Sequence, residues 1–143
     1  MKPLVLACIP LALATICISA QSPDEALIRQ LTGSWEGTDD KGKSATLQFQ
    51  PGGFAQLTMD GKRLVPDIPG GPSLRFKIDQ TKSPIWLDLI AFDPSGRELG
   101  RIKLILQVIN AKTIRIQTTD DFSIRPDKFT DDPTKGVTLS KIY

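Results

Sequence analysis

The chain has 143 residues, 18 basic against 16 acidic side chains, a net charge of +2, no histidine, and two cysteines, Cys8 and Cys17, both within the first twenty residues. The remainder, 21–143, therefore lacks the imidazole and thiol that Ser-His-Asp and Cys-His catalysis and the usual zinc sites require. Its charges are interspersed without a basic block, which argues against nucleic acid as a partner.

The chain opens MKPLVLACIPLALATICISA. Lys2 is followed by an uncharged stretch to Ala20, and the stretch closes on Ile18-Ser19-Ala20. A basic start, an apolar middle and an A-x-A-like end predict a signal peptide over 1–20, cleaved to leave one domain over 21–143 and a secreted or periplasmic protein. A retained anchor is the alternative, because the uncharged run is at the lower limit for spanning a bilayer. Pro10 in its middle and the missing basic flank argue against that. A lipid-anchored cysteine fits poorly, since Cys17 follows Ile16 and Cys8 has too short an apolar lead-in. No membrane contact is expected after cleavage. A domain of this size holds a core without disulfides, although export permits them.

Ser22-Pro23-Asp24-Glu25 reads as a helix start. Ser22 caps, Pro23 gives up a donor that had no partner, and Glu25 completes a capping box. Ala26, Leu27, Ile28 and Leu31 supply an apolar side, and Gly33 can end the helix. Three turns are not stable alone, so the element must dock.

Eight strands follow: SWEGT (34–38), SATLQFQ (44–50), FAQLTM (54–59), LRFKID (74–79), IWLDLIAF (85–92), RIKLILQVI (101–109), IRIQTT (114–119) and VTLSKIY (137–143). Most alternate apolar and polar residues, as half-buried antiparallel strands do. The inward set is Leu47, Phe49, Leu57, Leu74, Phe76, Ile78, Leu87, Leu89, Leu104, Leu106, Ile114, Ile116 and Leu139. Strands 85–92 and 101–109 are apolar on nearly both faces, so they should be central or covered. DDKGK, QPGGF, MDGK and DPSGRELG carry hairpin-turn residues. There is no internal repeat or linker. The predicted fold is all-β, an eight-stranded antiparallel up-and-down barrel with a short N-terminal helix, with a sandwich as the alternative.

In such a barrel Trp35 points inward at one mouth, with the helix across that end. Gly33-Ser34-Trp35 after a short helix resembles the opening of the lipocalin-like (calycin) barrels. That resemblance implies an arginine near the chain's end packed over the tryptophan, and Arg125 in IRPDKF (124–129) is the candidate. Gly33, Trp35 and Arg125 would form a structural plug. More closely, LTGSW (31–35), IDQTKSPIWLDL (78–89) and RPDKFTDDPTKGVTL (125–139) resemble an uncharacterised family of small exported lipocalin-like domains abundant in planctomycete bacteria. Members often have a cysteine-bearing strand before the Arg-Pro segment, where this chain has IRIQTTDDF and no cysteine. The resemblance implies no activity.

The doublets Asp39-Asp40, Asp120-Asp121 and Asp131-Asp132 could form a calcium or carboxylate-dyad site, but without EF-hand-like spacing they read as turn residues. Asp88 interrupts an apolar strand and needs a partner if buried. Desolvation would poise it as a catalytic acid, but it reads rather as facing the wetter side or pairing with a basic neighbour such as Lys103. No glycine-rich phosphate loop exists. The expectation is therefore no catalytic residue, no metal, no cofactor and no enzyme.

Eight strands leave an interior that is either filled or holds one small ligand. Short strands favour a largely filled core with a pocket at the open mouth. Leu57, Phe76, Leu87, Leu104 and Ile116 are the candidate ligand contacts. The proline-rich segment 65–73 is a candidate lid, or else an ordinary surface loop. The expected function is an exported, monomeric binding module for a small apolar ligand, favoured by a cavity of at least ~300 Å³. The alternative is a protein partner, as for a protease inhibitor, bound through the outer loops; exposed apolar residues on 65–73 or 120–134 would favour it.

Overall fold

The computed structural model describes residues 23–38, 42–130 and 136–143. The expected leader 1–20, the cap Ser22 and the doublets Asp39-Asp40 and Asp131-Asp132 lie outside the described residues. Among the described residues no helix is long and apolar enough to cross a membrane.

Among the described residues one α-helix, α1 (Pro23–Leu31), precedes nine strands: β1 (Gly33–Thr38), β2 (Ser44–Gln50), β3 (Phe54–Met59), β4 (Lys62–Arg63), β5 (Ser73–Asp79), β6 (Ile85–Phe92), β7 (Glu98–Asn110), β8 (Thr113–Gln117) and β9 (Gly136–Lys141). Every pairing is antiparallel. β1 pairs with both β2 and β9, and the ring runs on through β3, β5, β6, β7 and β8. The result is a closed eight-stranded up-and-down barrel. The two-residue β4 is a spur on β3, pairing Thr58 with Arg63 and Met59 with Lys62.

The alternation seen in sequence sets the register. Every residue of the expected inward set belongs to one buried apolar cluster, joined by Leu27 and Leu31 from the helix and by Trp35. Phe49 and Phe76 meet edge to face, centroids 4.9 Å apart and planes at 83°, the arrangement that ring quadrupoles favour. Phe49 and Phe76, with Leu31 and Trp35, fill the lower end of the lumen, nearest the helix.

α1 lies across that lower end. Asp24 Oδ1 accepts from the Gln80 backbone N–H at 3.0 Å, and Lys141 Nζ donates to the Gln30 carbonyl at 3.0 Å. Trp35 is fully buried beneath the helix. Its Nε1–H donates to the Leu31 carbonyl at 2.7 Å, which satisfies the indole's one donor. Gly33 turns the chain from helix to strand at φ +134°. A Cβ there would meet the Tyr143 carbonyl oxygen at 2.4 Å, and one at Gly37 would meet the Thr138 carbonyl oxygen at 2.3 Å. The closing seam between β1 and β9 therefore needs two glycines, for close backbone approach as much as for dihedral freedom.

The other weak seam is between β3 and β5, which share one residue pair, Phe54 with Arg75. Val65 packs against the core there, and Val65, Pro66, Asp67 and Pro72 line a cavity of about 120 Å³ with β3 and β5. The segment 65–73 thus fills a gap in the barrel wall. It does not line the open mouth, so of the two readings of this segment the lid gives way to the surface loop: three prolines unfit it for pairing, and it plugs the place where pairing fails.

Candidate functional site

The upper end of the barrel, away from α1, is open. β2 begins there at Ser44, β3 ends there at Met59, and β8 ends beside the start of β9, with Gln117 opposite Gly136. A cavity of about 170 Å³ enters the lumen at this mouth. Leu57, Leu89, Leu104 and Ile116, all buried, line its inner part, while Ala45, Ile102 and Val137 line it from the upper strands. Met59 and Phe122 stand beside it with 57% and 51% of their surfaces exposed. Lys43, Asp60 and Thr118 add polar edges.

Of the five candidate ligand contacts, Leu57, Leu104 and Ile116 line this cavity. Phe76 and Leu87 do not. Phe76 is locked against Phe49, and Leu87 is fully buried in the core. Ala45 and Met59 also line the mouth, and their alternation with Leu47 and Leu57 could have found them. Phe122 comes from an irregular segment that no periodicity announces.

The strap formed by residues 118–130 crosses the outside of β6, β7 and β8. It starts by continuing the sheet, with the Lys103 N–H donating to the Phe122 carbonyl at 2.9 Å. Gln117 then holds it through both ends of its amide, donating to the Lys128 carbonyl at 3.2 Å and accepting from the Thr130 N–H at 3.0 Å. Arg115 donates to the Thr130 carbonyl and lies 4.8 Å from the Phe129 ring. Ile105 and Pro126 are buried on this side. This explains why β6 and β7 are apolar on both faces: the lumen covers one face and the strap covers part of the other.

Arg125 sits in this strap, and its expected place over Trp35 is corrected. Its guanidinium lies 4.4 Å from the Trp86 ring, on the outer face of β6. It donates to Asp88 Oδ1 at 2.6 Å and to the Leu104 carbonyl at 2.8 Å. The barrel wall separates it from the lumen. The cation near Trp35 is Lys141, whose Nζ is 5.5 Å from that ring. It is Trp35's register partner on β9.

Asp88 is buried, with 7% of its surface exposed, and it has two guanidinium partners. Besides Arg125, Arg101 donates to Oδ2 at 2.8 Å. Lys103 lies directly across the ladder from Asp88, but the diagonal Arg101 and the strap's Arg125 take its oxygens. A planar fork of five donors can serve a carboxylate and a carbonyl together, which suits this crowded place better than an ammonium. Arg101 continues the chain of charges to Glu98 at 2.8 Å. The hydrogen bond from Arg101 holds the Glu98 carboxyl below its ordinary pKa, and the same bond raises that of Arg101. In the strap, the Ser123 hydroxyl holds Asp121 below its ordinary value. Asp88 Oδ1 faces the strap's Arg125 and Oδ2 faces Arg101 of β7, so this carboxylate fastens the strap to the sheet.

No family model, curated protein or solved structure matches the chain.

Proposed function

We propose that this barrel is a binding module whose open mouth takes the end of a small apolar ligand. The observation that carries this reading is the cavity of about 170 Å³ walled by Ala45, Leu57, Leu89, Leu104, Ile116 and Val137. An apolar cavity of roughly 150 Å³ stays dry and binds benzene. The mouth is smaller than the ~300 Å³ at which whole drug-sized ligands are enclosed. Its ligand is therefore held by one alkyl or aryl end, with the rest lying over Met59 and Phe122. The resemblance of LTGSW and RPDKF to small exported lipocalin-like domains, and the leader-like residues 1–20, agree with a module that works outside the cytoplasm.

Toluene titrated into labelled protein tests this. Saturable shifts of the Leu57, Leu104 and Ile116 methyl resonances are expected, and Ala45→Phe, which fills the mouth, should remove them. Shifts that never saturate, or that persist in Ala45→Phe, would refute the reading.

A second reading has its own observation. Leu64 and Ile68 beside the wall gap, and Phe122 and Ile124 on the strap, are 46%, 57%, 51% and 56% exposed. These are the outer loops through which a protein partner would be bound. In that case Ile68→Lys should abolish inhibition in a protease panel without affecting toluene binding.

A further inference from the structure

We propose a second ligand site, at the helix end of the barrel, that accepts a small amphiphile with a carboxylate head and a short alkyl tail. A cavity of about 460 Å³ lies between α1, the β5–β6 connection, β7 and the strap. It is larger than the mouth cavity and within the range of roughly 300–1,000 Å³ typical of small-molecule sites. Its apolar part is continuous with the core: Leu27 and Leu106 are buried, and Ile85 and Val108 are half-buried against the same cluster. Its polar part is three amides, Gln30, Gln80 and Gln107, one hydroxyl, Ser83, and one ammonium, Lys82. Phe129 of the strap supplies a further wall.

The charge pattern selects the head group. Among the described residues no carboxylate lines the cavity. Of the acidic side chains on these elements, Asp24 is engaged by the Gln80 N–H and Asp79 by the N–H and hydroxyl of Thr81, which hold its carboxyl below the ordinary value with help from the charges of Lys82 and Lys77. Lys82 makes no ion pair among the described residues. Its Nζ stands 4.8 Å from the ring of Trp86, which lies outside the cavity lining, so the ammonium is at the cavity's outer rim. An ammonium beside amide donors and an apolar floor matches an anionic head joined to an apolar tail, since a charge-assisted bond to Lys82 supplements burial of the tail. This site is at the opposite end from the mouth and shares no lining residue with it. It therefore stands or falls separately.

Octanoate and octanol are the probes, added to the full-length chain and followed by amide shifts and by tryptophan emission. Octanoate should saturate, shift Gln30, Gln80, Lys82 and Gln107, and change the emission of Trp86. Octanol should bind about threefold more weakly, the factor that an ion pair to an exposed ammonium confers. Lys82→Gln should weaken octanoate by about the same factor and leave octanol unchanged. Lys82 is exposed, so that variant should fold. Val108→Trp, which fills the floor, should abolish both. Equal binding of the two probes, octanoate binding unaltered in Lys82→Gln, or shifts confined to Leu57, Leu104 and Ile116 at the mouth would each overturn the proposal.

Discussion

The two tryptophans are both on strands and both have a cation over the ring, yet they do different jobs. Trp35 is fully buried in the lumen, and its N–H closes onto the helix. Trp86 is on the outer wall, 39% exposed, with Arg125 and Lys82 beside it. In the lumen the ring contributes volume, and the nearby Lys141 is secondary. On the wall the ring contributes a face, and the strap's arginine lies against it. A cation near an indole therefore does not reveal which of these two roles the indole has.

Truncation should separate the roles. Trp35→Ala should cost about 3–5 kcal/mol in denaturant unfolding, the usual loss for a large core aromatic. An equal loss in Trp86→Ala would break the comparison. On the outer wall the large cost is expected in the ion network instead. Asp88→Ala leaves Arg125 facing carbonyls without its carboxylate, and removing one partner of a buried pair costs about 3–5 kcal/mol. Amide exchange should locate that loss in residues 118–130 before the barrel strands. Gly37→Ala, at the seam over which Trp35 sits, should cost about 1–3 kcal/mol by overpacking against the Thr138 carbonyl. Trp86→Ala itself should cost about 0.5–2 kcal/mol through lost cation–π contact, and a double-mutant cycle with Arg125→Ala should recover most of it.

The smallest effect is with pH. Asp121 and Glu98 have lowered pKa values in the folded protein, from the Ser123 hydroxyl and the Arg101 guanidinium respectively. Groups of that kind stabilise above their unfolded pKa, and the stabilisation is lost as pH falls through the folded value. Strap amides should therefore exchange faster, relative to barrel amides, as pH drops from about 5 to about 2. Asp121→Asn should flatten part of that dependence. A strap whose protection tracks the barrel at every pH would show that the two are one cooperative unit.

The barrel was legible because its information is local. Alternation in 44–50, 54–59 and 74–79 fixes which side chains face inward, and glycine-rich turns fix the pairing. Lys141 over Trp35 was legible by the same rule, since 137, 139 and 141 alternate on one face, with Leu139 in the core and Val137 packed against it. The resemblance drew attention to Arg125 instead. The placement of Arg125 was not legible, because the strap is irregular and its position depends on contacts with Asp88, Gln117 and Arg115 that lie far away in sequence or on another strand. The two-faced apolarity of 85–92 and 101–109 announced that something covers them, without saying what. The mouth was half legible for a similar reason. Leu57, Leu104 and Ile116 follow from alternation, whereas how deep the filling by Phe49 and Phe76 reaches depends on packing in three dimensions.

The seam between β1 and β9 has a consequence for how the molecule is made. It joins Trp35 to Lys141 and Glu36 to Ser140, partners about a hundred residues apart, so loop-closure entropy delays it. A ribosome releases β1 long before β9 exists. Until then β1 offers one bare row of amides to any passing extended chain, and the nascent domain depends on being kept apart from its neighbours.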